Sequence, residues 1–470
     1  MKHLSYCLLT VFVFLTYSCS TIEEIENELE TEQSSIDETV LDPKSKKRNF
    51  KAPTSTGHHY VENLEYVLGD VKQAQITNAY TNTTIIDNAL DGFEEMGVNG
   101  IRIAIFADNV NPNETMYDYF YTQAKARGFK IFANPAQGSG GARIANGILN
   151  GTVASVKNST ATNALITRIK AFAQQYSCDW INPFNEDSRP GTLWYAGQFN
   201  NIYSALYGQV NGAELIGSCD WGIEAGILSL QQTNIKNYIS IASTHNLGFQ
   251  HSLWPDYIAA AGSLPVWDSE TNNNVKYTGV ATRIDAAIAA GVDGIVLYNS
   301  WNTINNTTGE LKSAGQDLKD KFTQYYYLKN KQSLKKIKPY SDVLENSLIV
   351  QVPNSWSGTF SQWEIVPTDN GYFRFRNRGS KMYFRPTNSN DYSDIYSVSS
   401  FSGSGTHVQW KTVTASDGYL FIQNRATGKN IRSRNDDDID INNSESAIKI
   451  NQAPTSWTGD RTKWELIKAN

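Results

Sequence analysis

The chain has 470 residues, of which 40% are hydrophobic, 19% charged and 12% aromatic, and its formal net charge is −6. This length predicts two or three domains, and the low charge with many aromatic residues excludes disorder over most of the chain. The acidic balance argues against a nucleic-acid binder, which needs a basic face, and four scattered cysteines exclude a disulfide scaffold. The 11 Trp and 25 Tyr are in excess, and flat rings in an acidic site suit neutral sugars.

The first 18 residues have the pattern of an export signal. A weakly positive start is followed by an apolar run over 8–15, which is too short to span a bilayer as a helix of about 20 residues. The run ends in the letters TYSC, which resemble the lipobox of a bacterial lipoprotein. The resemblance implies that Cys19 is the lipidated first residue of the mature protein; an ordinary secretory signal is the alternative.

A charged segment follows over 19–56. Residues 20–42 hold nine acidic and no basic side chains, whereas residues 44–51 carry a net positive charge. Such charge blocks are typical of a solvated linker. Directly after a lipid anchor, the acidic block resembles the export tag of surface lipoproteins in Bacteroidetes-type bacteria. The resemblance implies a protein anchored at the outer membrane and exposed at the cell surface, with secretion as the alternative.

From 57 to 330, short β-rich runs alternate with segments of helical spacing. With a less certain first strand at 67–75, the strand candidates are 100–106, 129–134, 179–185, 214–218, 239–244, 264–269 and 294–299. Eight such βα units predict a single (β/α)8 TIM barrel. The alternative, an open doubly wound sheet, would carry a Gly-rich phosphate loop after its first strand, and the sequence has none there.

Functional residues of such a barrel gather at the carboxyl ends of its strands. Strand four ends in the letters NPFNE at Glu186, and strand seven ends in WDSE at Glu270. The two glutamates are therefore predicted on opposite sides of one barrel mouth. A single glutamate at a strand end would not indicate a functional site, but two facing glutamates do. Asp220 and Asp268 are rival carboxylates, and Asp268 shares a strand face with Glu270, but Glu270 is preferred because it ends its strand.

An Asn-Glu pair at strand four and a Glu at strand seven make residues 60–330 similar to the clan of retaining glycoside hydrolases built on this barrel, and most similar to glycoside hydrolase family 30. The resemblance implies that Glu186 is the acid/base and Glu270 the nucleophile. It also implies that Asn185 donates to the 2-hydroxyl of the sugar that is cleaved. Asn134, which ends strand three before a proline, is reminiscent of the same group.

Other strand-end residues extend the predicted sugar site. Arg102 lies inside an apolar strand and is costly to bury unpaired, so the Glu270 carboxylate is its expected partner; a structural ion pair lower in the barrel is the alternative. His245 ends strand six and is expected to hydrogen-bond Glu270 or the substrate, unless it is a satisfied structural histidine. Trp301, just past strand eight, matches the aromatic floor that clan members place under the sugar.

Several features leave alternatives open. Trp221 and Trp254 either extend the cleft or pack in the core. Asp187 stands where the family pattern often has proline, and the extra β-structure that flanks a family 30 barrel is not evident, so the precise family stays open. Cys178 and Cys219 are predicted near opposite ends of the barrel, too far apart for a disulfide.

The sequence predicts no metal site and no cofactor. It has no His-x-x-x-His or His-Glu-x-x-His spacing. A barrel lyase or aldolase would need metal ligands or a Schiff-base lysine at strand ends, and neither is predicted there.

After a Lys-rich connector over 331–344, residues 345–470 contain an internal repeat. The letters QWEI at 362 recur as QWKT at 409 and KWEL at 463. Three such units resemble a ricin-type β-trefoil, in which three pseudo-symmetric lobes share one core. The resemblance implies a carbohydrate-binding module with the repeat tryptophans in its core; a degenerate lobe or a different β-sandwich is the alternative.

These patterns together predict a monomeric, endo-acting retaining glycoside hydrolase that cleaves a β-linked polysaccharide, touches the membrane only through its lipid anchor and binds no nucleic acid. The alternative from another class is a non-catalytic glycan-binding lipoprotein that uses both domains as a binding surface. The pair Glu186 and Glu270 favours the enzyme, because a binder has no need for both.

Overall fold

The computed structural model describes residues 58–187, 189–276, 281–400, 405–434 and 448–469. The predicted signal, the tether and Cys19 lie outside these residues. Within the unit Ala52–Asn470 the chain forms first a closed barrel of eight strands and then a twelve-stranded β-sheet. Among the described helices, none combines the length and the apolar character that a membrane crossing requires.

The barrel closes by parallel pairing of each strand with the next and of the first with the last. Its strands are β1 (Tyr66–Asp70), β2 (Gly100–Ile105), β3 (Lys130–Pro135), β4 (Trp180–Ile181), β5 (Glu214–Asp220), β6 (Ile241–Thr244), β7 (Val266–Thr271) and β8 (Gly294–Leu297). This closure confirms the predicted TIM barrel and excludes the open doubly wound sheet.

Helices follow the strands and bury one face against them. They are α1 (Lys72–Ile76), α2 (Thr83–Met96), α3 (Glu114–Ala126), α4 (Gly140–Ala145), α5 (Ser159–Gln175), α6 (Ala196–Leu206), α7 (Ile223–Gln232), α8 (Trp254–Ala261), α9 (Arg283–Ala290) and α10 (Ser313–Phe322). The long helices α2, α3 and α5 each start at an asparagine whose side chain accepts a backbone N–H of the first turn. The helix α2 ends at Gly97 with φ +82°, a conformation that glycine adopts without strain.

A plug of large side chains fills the inside of the barrel. Trp180 and Trp267 meet edge to face there, with ring centroids 4.8 Å apart. The remaining members of the plug are Leu68, Phe132, Ile216, Cys219, Ile241 and Val296. Because this apolar layer occupies the interior, the buried polar side chains of the barrel collect beyond it, at the carboxyl ends of the strands.

The second domain is a sheet of short antiparallel strands. They are β9 (Tyr325–Asn330), β10 (Lys336–Pro339), β11 (Ile349–Val352), β12 (Trp363–Pro367), β13 (Phe373–Asn377), β14 (Tyr383–Pro386), β15 (Ile395–Val398), β16 (Trp410–Thr414), β17 (Leu420–Asn424), β18 (Asn430–Ser433), β19 (Ile448–Ala453) and β20 (Trp464–Ala469). The sequence placed 325–330 in the barrel and 336–339 in a connector, whereas both are strands of this sheet. The strand β9 pairs with β12 and also with β20 at the far end of the chain, so much of its pairing is not visible in the neighbouring sequence.

Hydrogen bonds repeat three times around this sheet. The repeat tryptophans are fully buried, and each indole N–H donates to a carbonyl oxygen on another strand: Trp363 to Ile337, Trp410 to Phe384 and Trp464 to Ile431, at 3.1, 3.2 and 3.0 Å. Three side-chain amides, those of Asn330, Asn377 and Asn424, each donate to two backbone carbonyls. The domain is therefore a β-trefoil with three lobes, and the repeat tryptophans form its core as predicted.

A buried ion pair joins the barrel to the trefoil. Lys319 of α10 and Glu364 of β12 are both buried, and Lys319 Nζ lies 2.9 Å from Glu364 Oε2. Burial raises the pKa of Glu364, but Lys319 and Arg376 outweigh it and leave that pKa below its usual value. Arg376 also pairs with Glu95 of α2 at 2.5 Å, so two cations tie the first lobe to the barrel helices.

Candidate active site

The two predicted glutamates lie together at the barrel mouth. Glu186 follows β4 with a left-handed φ of 54°, and its N–H donates to Cys219 O at 2.9 Å. Glu270 lies within β7 and is 5% exposed. One carboxylate oxygen of each glutamate and one ring nitrogen of His245 all lie within 4.8 Å of one another.

Asp187 holds the loop after β4 in place. Its buried carboxylate accepts the backbone N–H groups of Gly141, Ala142 and Asn185 at 2.8, 2.8 and 3.0 Å, and the indole N–H of Trp194 at 2.9 Å. Burial raises the pKa of this carboxyl against the effect of these four donors. The departure from proline therefore has a structural reason, because only an acceptor at 187 can tie the loop to the first turn of α4.

Arg102 links two buried carboxylates. Its Nη2 lies 2.9 Å from Glu270 Oε2, as predicted, and its Nε and Nη2 form a bidentate pair with Asp70 at 3.0 and 2.9 Å. Its Nη1 donates to Ser269 O at 3.0 Å. The sequence reasoning missed Asp70 because it placed the end of the first strand at residue 75. The strand ends at Asp70, and the same strand-end rule would have found it.

His245 stands between the two glutamates. The residue is fully buried, and its Nδ1 lies 3.5 Å from Glu186 Oε1 and 4.0 Å from Glu270 Oε2. Burial disfavours the charged ring, but Glu270 and Glu186 raise the pKa of His245 to about 9. Burial also raises the pKa of Glu186, yet His245 and Lys72 leave it below its usual value. In the free protein His245 therefore holds a proton and Glu186 is ionised.

A lysine lies beneath the predicted amides, contrary to the expectation that no lysine stands at a strand end. Lys72, two residues past β1, donates from Nζ to Asn185 Oδ1 at 2.9 Å and to Asn134 Oδ1 at 3.2 Å. Asn134 Nδ2 in turn donates to Asn185 Oδ1 at 2.8 Å. Burial lowers the pKa of Lys72 to about 8. The structure thus places Asn134 and Asn185 in one hydrogen-bonded group with Lys72. The lysine was missed because the end of the first strand was misplaced.

Glu186, His245 and Glu270 are residue types that bind metals, and their donor atoms lie within 4.8 Å of one another. The sequence showed no metal-binding spacing because these residues come from three different strands. Two ligands about 2.1 Å from a tetrahedral zinc ion would be roughly 3.4 Å apart, which is closer than the 4.0 Å between His245 and Glu270. The donor set is therefore wider than a zinc site, and Arg102 already occupies one oxygen of Glu270.

The predicted aromatic residues take different positions. Trp301 lies half-buried in the turn after β8, edge to face with Tyr80, and its buried indole N–H has no hydrogen-bond partner among the described residues. Trp221 follows β5 and is 46% exposed. Trp254 is fully buried against Tyr257, so it packs in the core and does not extend the cleft.

The two described cysteines are buried free thiols. Cys219 Sγ lies 3.0 Å from Asn182 Nδ2 and 3.3 Å from Ser243 Oγ. Burial raises the pKa of the Cys178 thiol well above its usual range. A thiol that stays protonated is a weak nucleophile, so a packing role is indicated for Cys178.

Asp268 predicts a measurable pH dependence of stability. It is fully buried in β7, and burial raises its pKa to about 7 against the opposing effect of Arg283 and His245. The unfolded carboxyl loses its proton near pH 4 while the folded one keeps it to about pH 7, so this group lowers the free energy of unfolding as pH rises through that window. Asp268→Asn is expected to lack this fall, which amounts to at most about 3 kcal/mol between pH 5 and pH 8. Denaturant unfolding of both proteins at pH 5 and pH 8 measures it.

The control for this prediction is Asp108→Asn, because the Asp108 side chain is 76% exposed. We expect the control to change the free energy of unfolding equally at both pH values. Equal pH dependence in Asp268→Asn and the unaltered protein would contradict the prediction.

The fold and site together define a (β/α)8 barrel with paired carboxylates at its mouth, joined to a β-trefoil. Residues 361–449 match the family model described as a ricin-type beta-trefoil lectin domain-like domain. A comparison with the curated proteins finds no match at the threshold applied.

Solved structures that resemble part of the chain include glycosidases and trefoil proteins. The designed three-fold symmetric protein ThreeFoil has 23% identity and a TM-score of 0.26 over 30% of this chain and 97% of its own. An exo-β-1,3-galactanase from Clostridium thermocellum has 22% identity and a TM-score of 0.28 over 35% of this chain. An endo-β-galactosidase from Clostridium perfringens has 18% identity and a TM-score of 0.24 over 31% of this chain. The match spans 33% of each glycosidase, and likenesses of this size carry no functional argument.

Proposed function

We propose that the protein is a retaining glycoside hydrolase that cleaves a β-linked polysaccharide, with Glu186 as acid/base and Glu270 as nucleophile. The observation that carries the proposal is the placement of their carboxylate oxygens within 4.8 Å of each other at the barrel mouth. Retaining enzymes hold the two carboxyl groups about 5–5.5 Å apart, whereas inverting enzymes hold them about 6.5–9.5 Å apart to admit water. The geometry favours the first group.

The proposed reaction has two displacements. In the first, a Glu270 oxygen attacks the anomeric carbon, the bond to the leaving oxygen breaks with its electron pair, and Glu186 gives that oxygen a proton. In the second, Glu186 takes a proton from water, the water oxygen attacks the anomeric carbon, and Glu270 leaves as a carboxylate. Arg102 holds Glu270 at 2.9 Å, which orients the nucleophile.

His245 supplies the acid proton in this scheme. The proton resides on His245 in the free protein, because the pKa of His245 is raised to about 9 and that of Glu186 is lowered. Their atoms are 3.5 Å apart. When a bound sugar excludes water from the pair, the neutral pair becomes favoured over two buried charges, and the proton passes to Glu186 beside the leaving oxygen.

Two other functions fit the site less well. A non-catalytic glycan binder has no use for two carboxylates held by buried cations, since burial of charge is costly. A Schiff-base enzyme needs a neutral lysine, whereas Lys72 donates to two amide oxygens, an arrangement that stabilises the protonated form.

A panel of β-glycans tests the proposal, with the products separated by size and the first-formed anomer read by proton NMR. We expect hydrolysis of at least one glycan, with oligosaccharides of several lengths from endo cleavage and β-anomers from retention. Binding of a polysaccharide without any hydrolysis would leave the glycan-binding alternative. α-Anomers as first products would overturn the retaining mechanism.

The trefoil is proposed to bind the same polysaccharide, which the match to a lectin domain family supports. Trp457 and Tyr392 are 42% and 48% exposed with ring centroids 5.6 Å apart, and the Arg432 guanidinium lies 4.9 and 5.0 Å from the two rings. We expect Trp457→Ala to weaken binding of the polysaccharide up to about tenfold, because one aromatic contact contributes about 0.5–1.5 kcal/mol. Affinity electrophoresis in gels that contain the polysaccharide measures the change.

The control for Trp457→Ala is Tyr207→Ala on the barrel, where Tyr207 is 59% exposed and also forms a ring pair, with Tyr238 at 5.7 Å. This control is expected to bind as the unaltered protein does. Unchanged binding in Trp457→Ala would place the sugar elsewhere on the trefoil.

We also propose that the protein is held at the outer membrane by a lipid on Cys19 and faces the outside of the cell. The TYSC pattern and the acidic block after it support this proposal. Metabolic labelling with a palmitate analogue is expected to label the unaltered protein and not Cys19→Ser, and only the unaltered protein should sediment with membranes. Label on neither protein would favour an ordinary secretory signal.

A further inference from the structure

Lys72 is a buried cation that the proposed reaction has not used. Its side chain is buried, 3% exposed, and the residue begins the short helix α1. The backbone N–H of Lys72 donates to Asp70 Oδ1 at 3.1 Å, and Asp70 is itself held by Arg102. The start of α1 is thus fixed to the same ion cluster that holds Glu270.

The partners of Lys72 are amides rather than carboxylates. Among the described residues no carboxylate oxygen forms an ion pair with Nζ, which instead donates to Asn185 Oδ1 and Asn134 Oδ1. The charges of Glu270, Asp70 and Glu186 act on Lys72 from a longer range, against repulsion by Arg102. A buried ammonium with neutral partners costs free energy, and such costs are typical of functional sites.

Lys72 determines which way the Asn185 amide points. An ammonium can only donate, so Asn134 and Asn185 must both turn their oxygens toward Nζ. Asn185 Oδ1 also accepts Asn134 Nδ2 at 2.8 Å, and Asn185 Nδ2 donates to Gln137 O at 3.0 Å. The reversed amide would place Asn185 Nδ2 against the donors Lys72 Nζ and Asn134 Nδ2, and Asn185 Oδ1 against the acceptor Gln137 O. One N–H of Asn185 Nδ2 remains for a substrate beside Glu186.

We propose that Lys72 is a positioning residue that fixes the Asn185 amide so that Nδ2 donates to the 2-hydroxyl of the sugar during cleavage. This inference rests on the proposed glycoside hydrolase function. Without Lys72, the Asn134 amide also loses the donor that holds its oxygen and can reverse, so that its Nδ2 no longer donates to Asn185 Oδ1. Only the contact with Gln137 O then opposes rotation of the Asn185 amide, which can present its oxygen to the hydroxyl. The hydrogen bond to the 2-hydroxyl, which strengthens in the transition state, is then lost.

The test compares 4-nitrophenyl β-glycosides of the sugar released in the polysaccharide panel, with and without the 2-hydroxyl. We expect Lys72→Met to lower kcat/KM on the full substrate about tenfold to a hundredfold, close to the effect of Asn185→Ala. On the 2-deoxy substrate both variants should lie within about threefold of the unaltered protein, and Lys72→Met added to Asn185→Ala should cause no further loss. The surface variant Lys236→Met, whose Nζ contacts Ala260 O, is the control and should have full activity.

A purely structural role for Lys72 predicts a different kinetic result. If Lys72→Met slows both substrates equally, Lys72 acts on the glutamates or on folding and the positioning role is overturned. If Lys72→Met does not fold, Lys72→Gln replaces it in the test. The shorter glutamine amide cannot donate to both asparagine oxygens, so this variant should also lose activity on the full substrate and not on the 2-deoxy substrate. An unaltered protein that cleaves no glycoside overturns the proposed function itself. An active protein with unselective Lys72 variants overturns only the inference about Lys72.

Discussion

Glu270→Ala is expected to stop hydrolysis of the β-glycan, and azide is expected to restore cleavage with an α-glycosyl azide as the product. The alanine leaves space where the Glu270 carboxylate stood, so the small anion can attack the anomeric carbon from the same side. A single displacement inverts the configuration of the sugar. The product anomer, read by NMR, thus reports which face of the sugar Glu270 occupies.

Glu186→Ala is expected to give the opposite anomer. Loss of the acid/base lowers kcat/KM by about 10²- to 10⁴-fold, and less for substrates with a 4-nitrophenolate leaving group, which needs no proton. Azide then attacks the glycosyl ester on Glu270 and gives a β-glycosyl azide. The control is Glu224→Ala, at the exposed start of α7, which should keep full activity. The same anomer from both variants, or activity in Glu270→Ala without azide, would contradict the assigned roles.

Arg102→Met is expected to lower the free energy of unfolding by about 3–5 kcal/mol. The variant leaves the carboxylates of Asp70 and Glu270 buried without the cation that now lies 2.9 Å from each, and an uncompensated buried charge costs this much. Denaturant unfolding at pH 7 measures the difference. Arg102→Lys keeps the charge and loses the planar fork, so a smaller loss is expected.

The matched control for Arg102 is Arg127→Met. Arg127 lies within 4.0 Å of three carboxylates, those of Asp87, Asp91 and Glu94, but this cluster is at the surface. Exposed ion pairs contribute about 0–1 kcal/mol, so Arg127→Met should change the free energy of unfolding by no more than this. A loss in Arg102→Met as small as that of the control would show that the Asp70–Arg102–Glu270 cluster does not stabilise the barrel.

The barrel and most of the site were predictable because parallel strands leave a simple signal. Apolar runs mark the strands, and the residue that ends each run points to the mouth, which is how Glu186, Glu270 and Asn185 were found. The rule failed at β1, whose end was predicted at residue 75 although the strand ends at Asp70, and so Asp70 and Lys72 were missed.

Contacts between distant loops leave no such signal. A Cβ on Gly138 would lie 2.6 Å from Glu186 Oε2, so any larger residue at this point of the loop after β3 would displace that carboxylate oxygen. In the sequence, nothing distinguishes Gly138 from other loop glycines, so its closeness to Glu186 could not be predicted. The first lobe of the trefoil was misplaced for a similar reason, because β9 pairs over most of its length with β20, which lies far along the chain.

The pairing of β9 with β20 has a consequence for the order in which the protein is made. Asn330 on β9 donates to Arg461 O, 131 positions later in the chain, whereas the last barrel helix ends before β9 begins. During synthesis, the whole barrel sequence therefore leaves the ribosome before β20, the strand that pairs with β9, has been made. During that interval β9 can pair with β12 but lacks its partner on the other edge, so we expect the trefoil to close only after β20 has been made.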